Sequence, residues 1–219
     1  MNGCIEGSIK ENGDKGIPKR ISRSEMLLIE GDNDYHFFKH FFLFEKINLD
    51  EIHIIRTCGD FDDNYANALV LRSDFVDNIK IFGIISEANT IGVQKTFEII
   101  KDRFENTNLT FPDKPNSFTT SDPKVGIFII GNDDDIKMLE DLCLKSVEKD
   151  KEMSCVKQFT NCISKLKIIY DNPSKAKAQA YLASKPKYIA HIGLGAKENY
   201  WHFESDIYND IRRFLNEFK

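Results

Sequence analysis

Cysteine, tryptophan and long apolar runs are all scarce in this 219-residue chain, which has 5 Cys and 1 Trp. The cysteines, Cys4, Cys58, Cys143, Cys155 and Cys162, are odd in number and form no C-x-x-C pair. That pattern excludes a disulfide framework and argues against structural zinc. No stretch approaches the ~20 apolar residues that span a bilayer. Met1 to Arg20 has no apolar core of the kind a secretory signal carries. A cytoplasmic protein without a membrane partner is the expectation. A net charge of −5 likewise excludes a chain that is strongly basic throughout.

What is present is an ordinary globular composition, 41% hydrophobic and 30% charged. The length suits one α/β domain over residues 21–219 with a C-terminal helical extension, after a polar, glycine-containing tail over 1–20. Charge is unevenly spread. Lys157, Lys165, Lys167, Lys175, Lys177, Lys185, Lys187 and Lys197 face a single acid, Asp171, so residues 157–197 carry a formal +7 and the remainder −12. Such a division suits a metal-dependent enzyme acting on a polyanion, and equally a solvated lysine-rich helical face.

The chain is organised around Glu25-Met-Leu-Leu-Ile-Glu-Gly-Asp-Asn-Asp34. Met26–Ile29 is long enough for one buried strand, Glu30 stands at its end, and Gly31 permits a sharp turn. Asp32, Asn33 and Asp34 can cap a helix carrying Phe37, Phe38, Phe41, Phe42 and Phe44, a density that predicts a helix sandwiched in the fold. Strand, acidic turn and helix together present Glu30 and Asp34 at a strand's C-terminal end, where open α/β sheets bind ligands. His36 and His40 read as a partly exposed helix face.

Three further strands are expected at Ile52–Arg56, Lys80–Ile85 and Val125–Ile130. The second of these ends in Glu87-Ala-Asn89. The last ends in Gly131-Asn-Asp-Asp-Asp135 before a helix through Leu144 that contains Glu140 and Asp141. Helices are expected at 65–71, 92–104, 155–169, 175–184 and 206–218, with Ser73, Asp74 and Asp77 breaking the pattern. Cys155 and Cys162 read as core positions. The polar 105–124 connection reads as a lid or binding loop. Asp60, Asp62 and Asp63 fit either a metal site or a solvated loop. Gly193 and Gly195 read as a turn rather than a phosphate cradle. Strands alternating with helices give an α/β fold with a largely parallel sheet sandwiched by helices.

The apolar strand, the Glu30-Gly31 pair, the second acid at Asp34 and the helix behind them resemble the opening motif of the Toprim domain. The resemblance covers roughly residues 25–177 and is nearest to nucleases of the OLD (overcoming lysogenization defect) type and to small bacterial Toprim-like proteins. It implies a Rossmann-like sheet and an Mg²⁺- or Mn²⁺-dependent nuclease, with a role in phage defence by analogy. It implies acid-base or metal chemistry for Glu30, with Asp34 pointing to the same spot. A metal-binding Asp-x-Asp is implied where this chain has Glu87 and Asn89, and a later acidic position at Glu140 and Asp141. A lysine acting on the charged transition state is implied at Lys175 or Lys177. Lys165, Lys167, Lys185 and Lys187 would contact nucleic acid. Asn89 departs from the pattern: an amide brings a dipole where the motif has a full charge, which opens the alternative of a Toprim-like domain that binds nucleic acid or a partner protein without cutting. A homodimer is compatible with either.

Overall fold

A computed structural model describes residues 9–11, 18–57, 63–132 and 134–219. The remainder of the 1–20 tail, Asp60, Asp62 and Asp133, and the side chain of Asp63, lie outside the described residues.

The fold is α/β and Rossmann-like. Among the described residues one sheet runs in the order β1-β3-β2-β4-β6-β5. Its strands are β1 (Ile9–Glu11), β2 (Glu25–Glu30), β3 (Ile52–Thr57), β4 (Ile81–Glu87), β5 (Ser117–Phe118) and β6 (Lys124–Ile130). β2, β3, β4 and β6 are mutually parallel, and only the edge strands β1 and β5 run antiparallel to their neighbours. Near-continuous Ile, Leu, Val and Phe in the parallel strands is what burial on both faces demands. All six residues of β3 are buried.

The helices are α1 (Asp32–Phe44), α2 (Asp63–Val70), α3 (Ser73–Asn78), α4 (Val93–Arg103), α5 (Leu139–Ser146), α6 (Glu152–Lys165), α7 (Pro173–Ala183), α8 (Ile192–Lys197) and α9 (Asn209–Leu215). They cover both faces and divide the core. One cluster unites Leu27, Ile29 and Phe37, Phe38, Phe41 and Phe42 of α1 with Trp201, Phe203, Tyr208 and Phe214, while Phe44 at the end of α1 is exposed. The other places Met26, Leu28, Ile84 and Ile127 against Phe75, Phe97 and Phe104. The α1 helix is sandwiched as its composition demands: Phe37, Phe38, Phe41 and Phe42 are fully buried. No described helix is long and apolar enough to cross a membrane.

Several sequence expectations are corrected. Ser73, Asp74 and Asp77 do not break helical structure but form α3, where Asp74 accepts the Ile21 amide at 2.8 Å and pairs with Arg72. Cys155 and Cys162 are exposed, because α6 turns Met153 and Val156 inward instead. The 105–124 connection is no free lid. Its β5 pairs with β6, and Leu109 and Phe111 pack on the second core. Gly193 and Gly195 lie inside α8. A Cβ on Gly193 would meet the Asn33 carbonyl at 2.8 Å and His36 Cβ closer still, while one on Gly195 would meet Leu182 at 2.8 Å. The smallness of Gly193 lets α8 rest directly on α1, and that of Gly195 makes room for Leu182 and Trp201.

Candidate active site

The site assembles at the C-terminal edge of the parallel strands. β2 delivers Glu30 there, and the next residue, Gly31, takes φ +83° to swing the chain into α1. This left-handed conformation is why glycine occupies the turn. In the first turn of α1 stands Asp34. In the adjacent strand, register pairs Ile29 with Ile85, which sets Ser86 beside Glu30. The Ser86 hydroxyl donates to Glu30 Oε2 at 2.5 Å. One residue on, Glu87 Oε1 accepts the Leu139 amide at 2.7 Å. Leu139 opens α5, so the bond ties the end of β4 to a helix N-terminus, where a carboxylate is favoured. Glu140 follows immediately and is buried, 5% exposed.

Electrostatics bind these groups into one unit. Burial, then Glu87, Glu140 and Glu30, push the Asp34 carboxyl well above its usual range, and Lys175 opposes them. Glu87 is raised to about 7, mainly by burial and further by Glu140 and Glu30, against the Leu139 amide and Lys175. Glu140 is also raised, chiefly by burial, with Lys175 again opposing. Four carboxyls therefore share a partly desolvated space in which they cannot all hold charge easily, with the exposed Lys175 close enough to act on them.

The remaining candidate residues separate. Lys175 belongs to this cluster, whereas Lys177 lines a neighbouring cavity of about 250 Å³ with Asp135, Asp141 and Glu148. Asp141 caps α5, its Oδ2 accepting the amides of Lys137 at 2.9 Å and Met138 at 3.2 Å. Asp135 pairs with Lys145 at 2.5 Å. Asn89 is exposed at φ +48°, and its backbone N–H donates to the Lys137 carbonyl at 2.8 Å. Asparagine is among the few side chains that accept this conformation readily, which accounts for it without a metal. Lys165 and Lys167 are exposed. Lys185 is engaged by Glu152 at 3.0 Å and Asp150 at 3.6 Å and lies over the Tyr181 ring, while Lys187 pairs with Glu198 at 2.6 Å.

Two contributors escape sequence reasoning. Ser86 looks like strand filler until its register with Glu30 is known. Arg56, buried in β3, pairs with Asp32 beside the acidic turn. A cationic residue near the end of an isoleucine-rich strand is the sequence signal for it.

A family model matches residues 24–219 of the chain. The chain belongs to the DUF3226 family, described as proteins of unknown function. No curated protein matches this DUF3226 chain. Among solved structures it is similar to a hypothetical protein from Pyrococcus horikoshii OT3. That match is 13% identical with a TM-score of 0.39, covering 90% of this chain and 95% of the other.

The donor set of the site, all carboxylate oxygen, is that of a hard divalent cation. Among the described residues, however, no group of three or more His, Cys, Asp or Glu is already closed around a point that could hold an ion. Holding one would require the acids to rotate inward.

Proposed function

We propose that this DUF3226 protein is a Toprim-like, divalent-metal-dependent phosphodiester hydrolase acting on nucleic acid. The observation supporting this most is the meeting of Glu30, Asp34, Glu87 and Glu140 with Lys175 at the C-terminal edge of the sheet. Crowded acids with raised proton affinity are what a cation would relieve, and active sites are where such perturbed groups gather. Asp34, Glu87 and Glu140 would hold Mg²⁺ or Mn²⁺, with Glu30 beside them. When bound, the ion would activate water and neutralise charge at the scissile phosphate. Glu30, fixed by the Ser86 hydroxyl, is oriented to exchange a proton with a nucleophile or leaving group. Glu87, raised to about 7, can hold or release a proton at neutral pH. Lys175 would offset the charge that develops on the phosphate.

A second reading is binding without cleavage. It is favoured by the open arrangement of the acids and by Asn89, which is exposed and turned in a loop. Calorimetric Mn²⁺ titration of wild type and Glu87→Gln, with cleavage of a labelled oligonucleotide, separates the two. Binding and cleavage that both fall in the variant support the hydrolase. Nucleic-acid binding without Mn²⁺ uptake supports the second reading.

A further inference from the structure

The C-terminal helices carry a second feature. Between α6, α7 and the segment before α8 lies a groove of about 430 Å³. Its walls include the aromatic rings of Phe159, Tyr170 and Tyr188, with the polar side chains of Gln179 and His191 among small alanines. Two of these rings are open to solvent, Tyr188 at 77% exposure and Phe159 at 49%. None of the residues lining the groove is acidic, in a protein whose overall charge is −5. Lys165 and Lys167 stand exposed where α6 ends, within the segment of formal +7.

We propose that this groove binds unpaired bases of a single-stranded nucleic acid. The proposal rests on the reading of the protein as one that acts on nucleic acid, and names the form of that substrate. Accessible rings within a lysine-rich segment are the two parts a single-strand site needs, because rings stack on any base while ammonium groups follow the phosphates. A duplex keeps its bases stacked inside and cannot offer their faces to such a groove. Gln179 and His191 supply hydrogen-bonding atoms for base edges. One helix joins the groove to the acids. Lys175, in the first turn of α7, acts on Asp34, Glu87 and Glu140, while Ala176, Gln179, Ala180 and Ala183 line the groove along one face of the same helix. A strand lying there would have its backbone led along α7 to the acidic cluster.

The test is fluorescence anisotropy of the full chain in EDTA with labelled (dT)20, (rU)20 and a duplex of equal length, across a salt series. Either single strand should bind more tightly than the duplex, with affinity falling steeply as salt rises. Tyr188→Ala removes an exposed ring at no cost to the core and should weaken single-strand binding about tenfold. Phe159→Ala should act in the same direction, and the Lys165→Ala, Lys167→Ala double variant should flatten the salt dependence. Equal binding of duplex and single strand would overturn the proposal, as would wild-type affinity in Tyr188→Ala. Sedimentation velocity adds a further arm. A dimer that Tyr188→Ala dissociates, with (dT)20 affinity unchanged, would make the groove a contact between copies and overturn it too. EDTA keeps the outcome independent of catalysis. Tight single-strand binding beside absent Mn²⁺ uptake would retire the hydrolase and leave the groove assigned.

Discussion

The Ser86 hydroxyl lies 2.5 Å from Glu30 Oε2 and donates to it across two adjacent parallel strands. The bond fixes one carboxylate oxygen of the site. Ser86→Ala should lower stability by about 1 kcal/mol, since a hydrogen bond is lost at a partly buried position. Urea unfolding at neutral pH reads this directly. An unchanged midpoint would mean that the hydroxyl contributes nothing to the folded state.

Glu87 yields a prediction about pH. Its folded carboxyl titrates near 7 instead of 4.5, so the folded protein holds a proton that the unfolded chain releases. The associated stability is complete below about pH 4.5 and is lost as pH rises through 7. Glu87→Gln is neutral throughout and keeps an oxygen for the Leu139 amide. It should therefore unfold later than wild type at pH 8, by roughly 3 kcal/mol at most, and much like it at pH 5. Parallel pH profiles of the two midpoints would rule this out.

The same crowding governs metal uptake. Protons compete with a cation for raised carboxyls, so Mn²⁺ affinity should climb between pH 6 and pH 8, with protons released on binding. Calorimetry in two buffers of different ionisation enthalpy counts those protons. Uptake that is flat across this range would place the ion elsewhere.

Asn89→Asp tests the departure from the Toprim pattern. Aspartate tolerates the positive φ that Asn89 adopts, so the fold should be retained. The added charge should tighten Mn²⁺ binding and create or raise nuclease activity, read by titration and plasmid cleavage. Wild type that cuts efficiently and a weaker aspartate variant would make the amide the functional group. If neither protein takes up metal, the hydrolase reading fails.

Gly193→Ala addresses packing. The added Cβ would press on the Asn33 carbonyl and on His36, both in α1, where backbone cannot easily yield. A loss of about 1 to 3 kcal/mol is expected, typical of overpacking. Because Asn33 adjoins Asp34, metal binding should weaken alongside the urea midpoint.

How much of this was legible depended on whether the information was local. The strand ends carrying Glu30 and Glu87 follow from short apolar runs, and the phenylalanines of α1 announce a helix covered on several sides. Convergence of those acids follows once parallel strands are adjacent. Residues whose roles depend on partners distant in sequence were opaque. Lys175 and Lys177 look equivalent until α7 is oriented by docking, and Lys185 looks free until Asp150 and Glu152 arrive beside it. Cys155 and Cys162 at i, i+7 fit a buried stripe as well as an exposed one. Gly193 and Gly195 carry no side-chain signal, and only the neighbouring helix explains them.

The two-residue strand β5 has a consequence for encounters between molecules. Its neighbour β6 is buried from Val125 to Ile130, and the Phe118 ring sits where Gly126 leaves room for it. Without β5, the hydrophobic β6 would present bare amides and carbonyls, a template on which another chain could add a strand. By returning from its long excursion to pair there, the 105–124 segment closes that template. It protects the protein against self-association through the β6 edge, a duty quite separate from anything at the acidic end of the sheet.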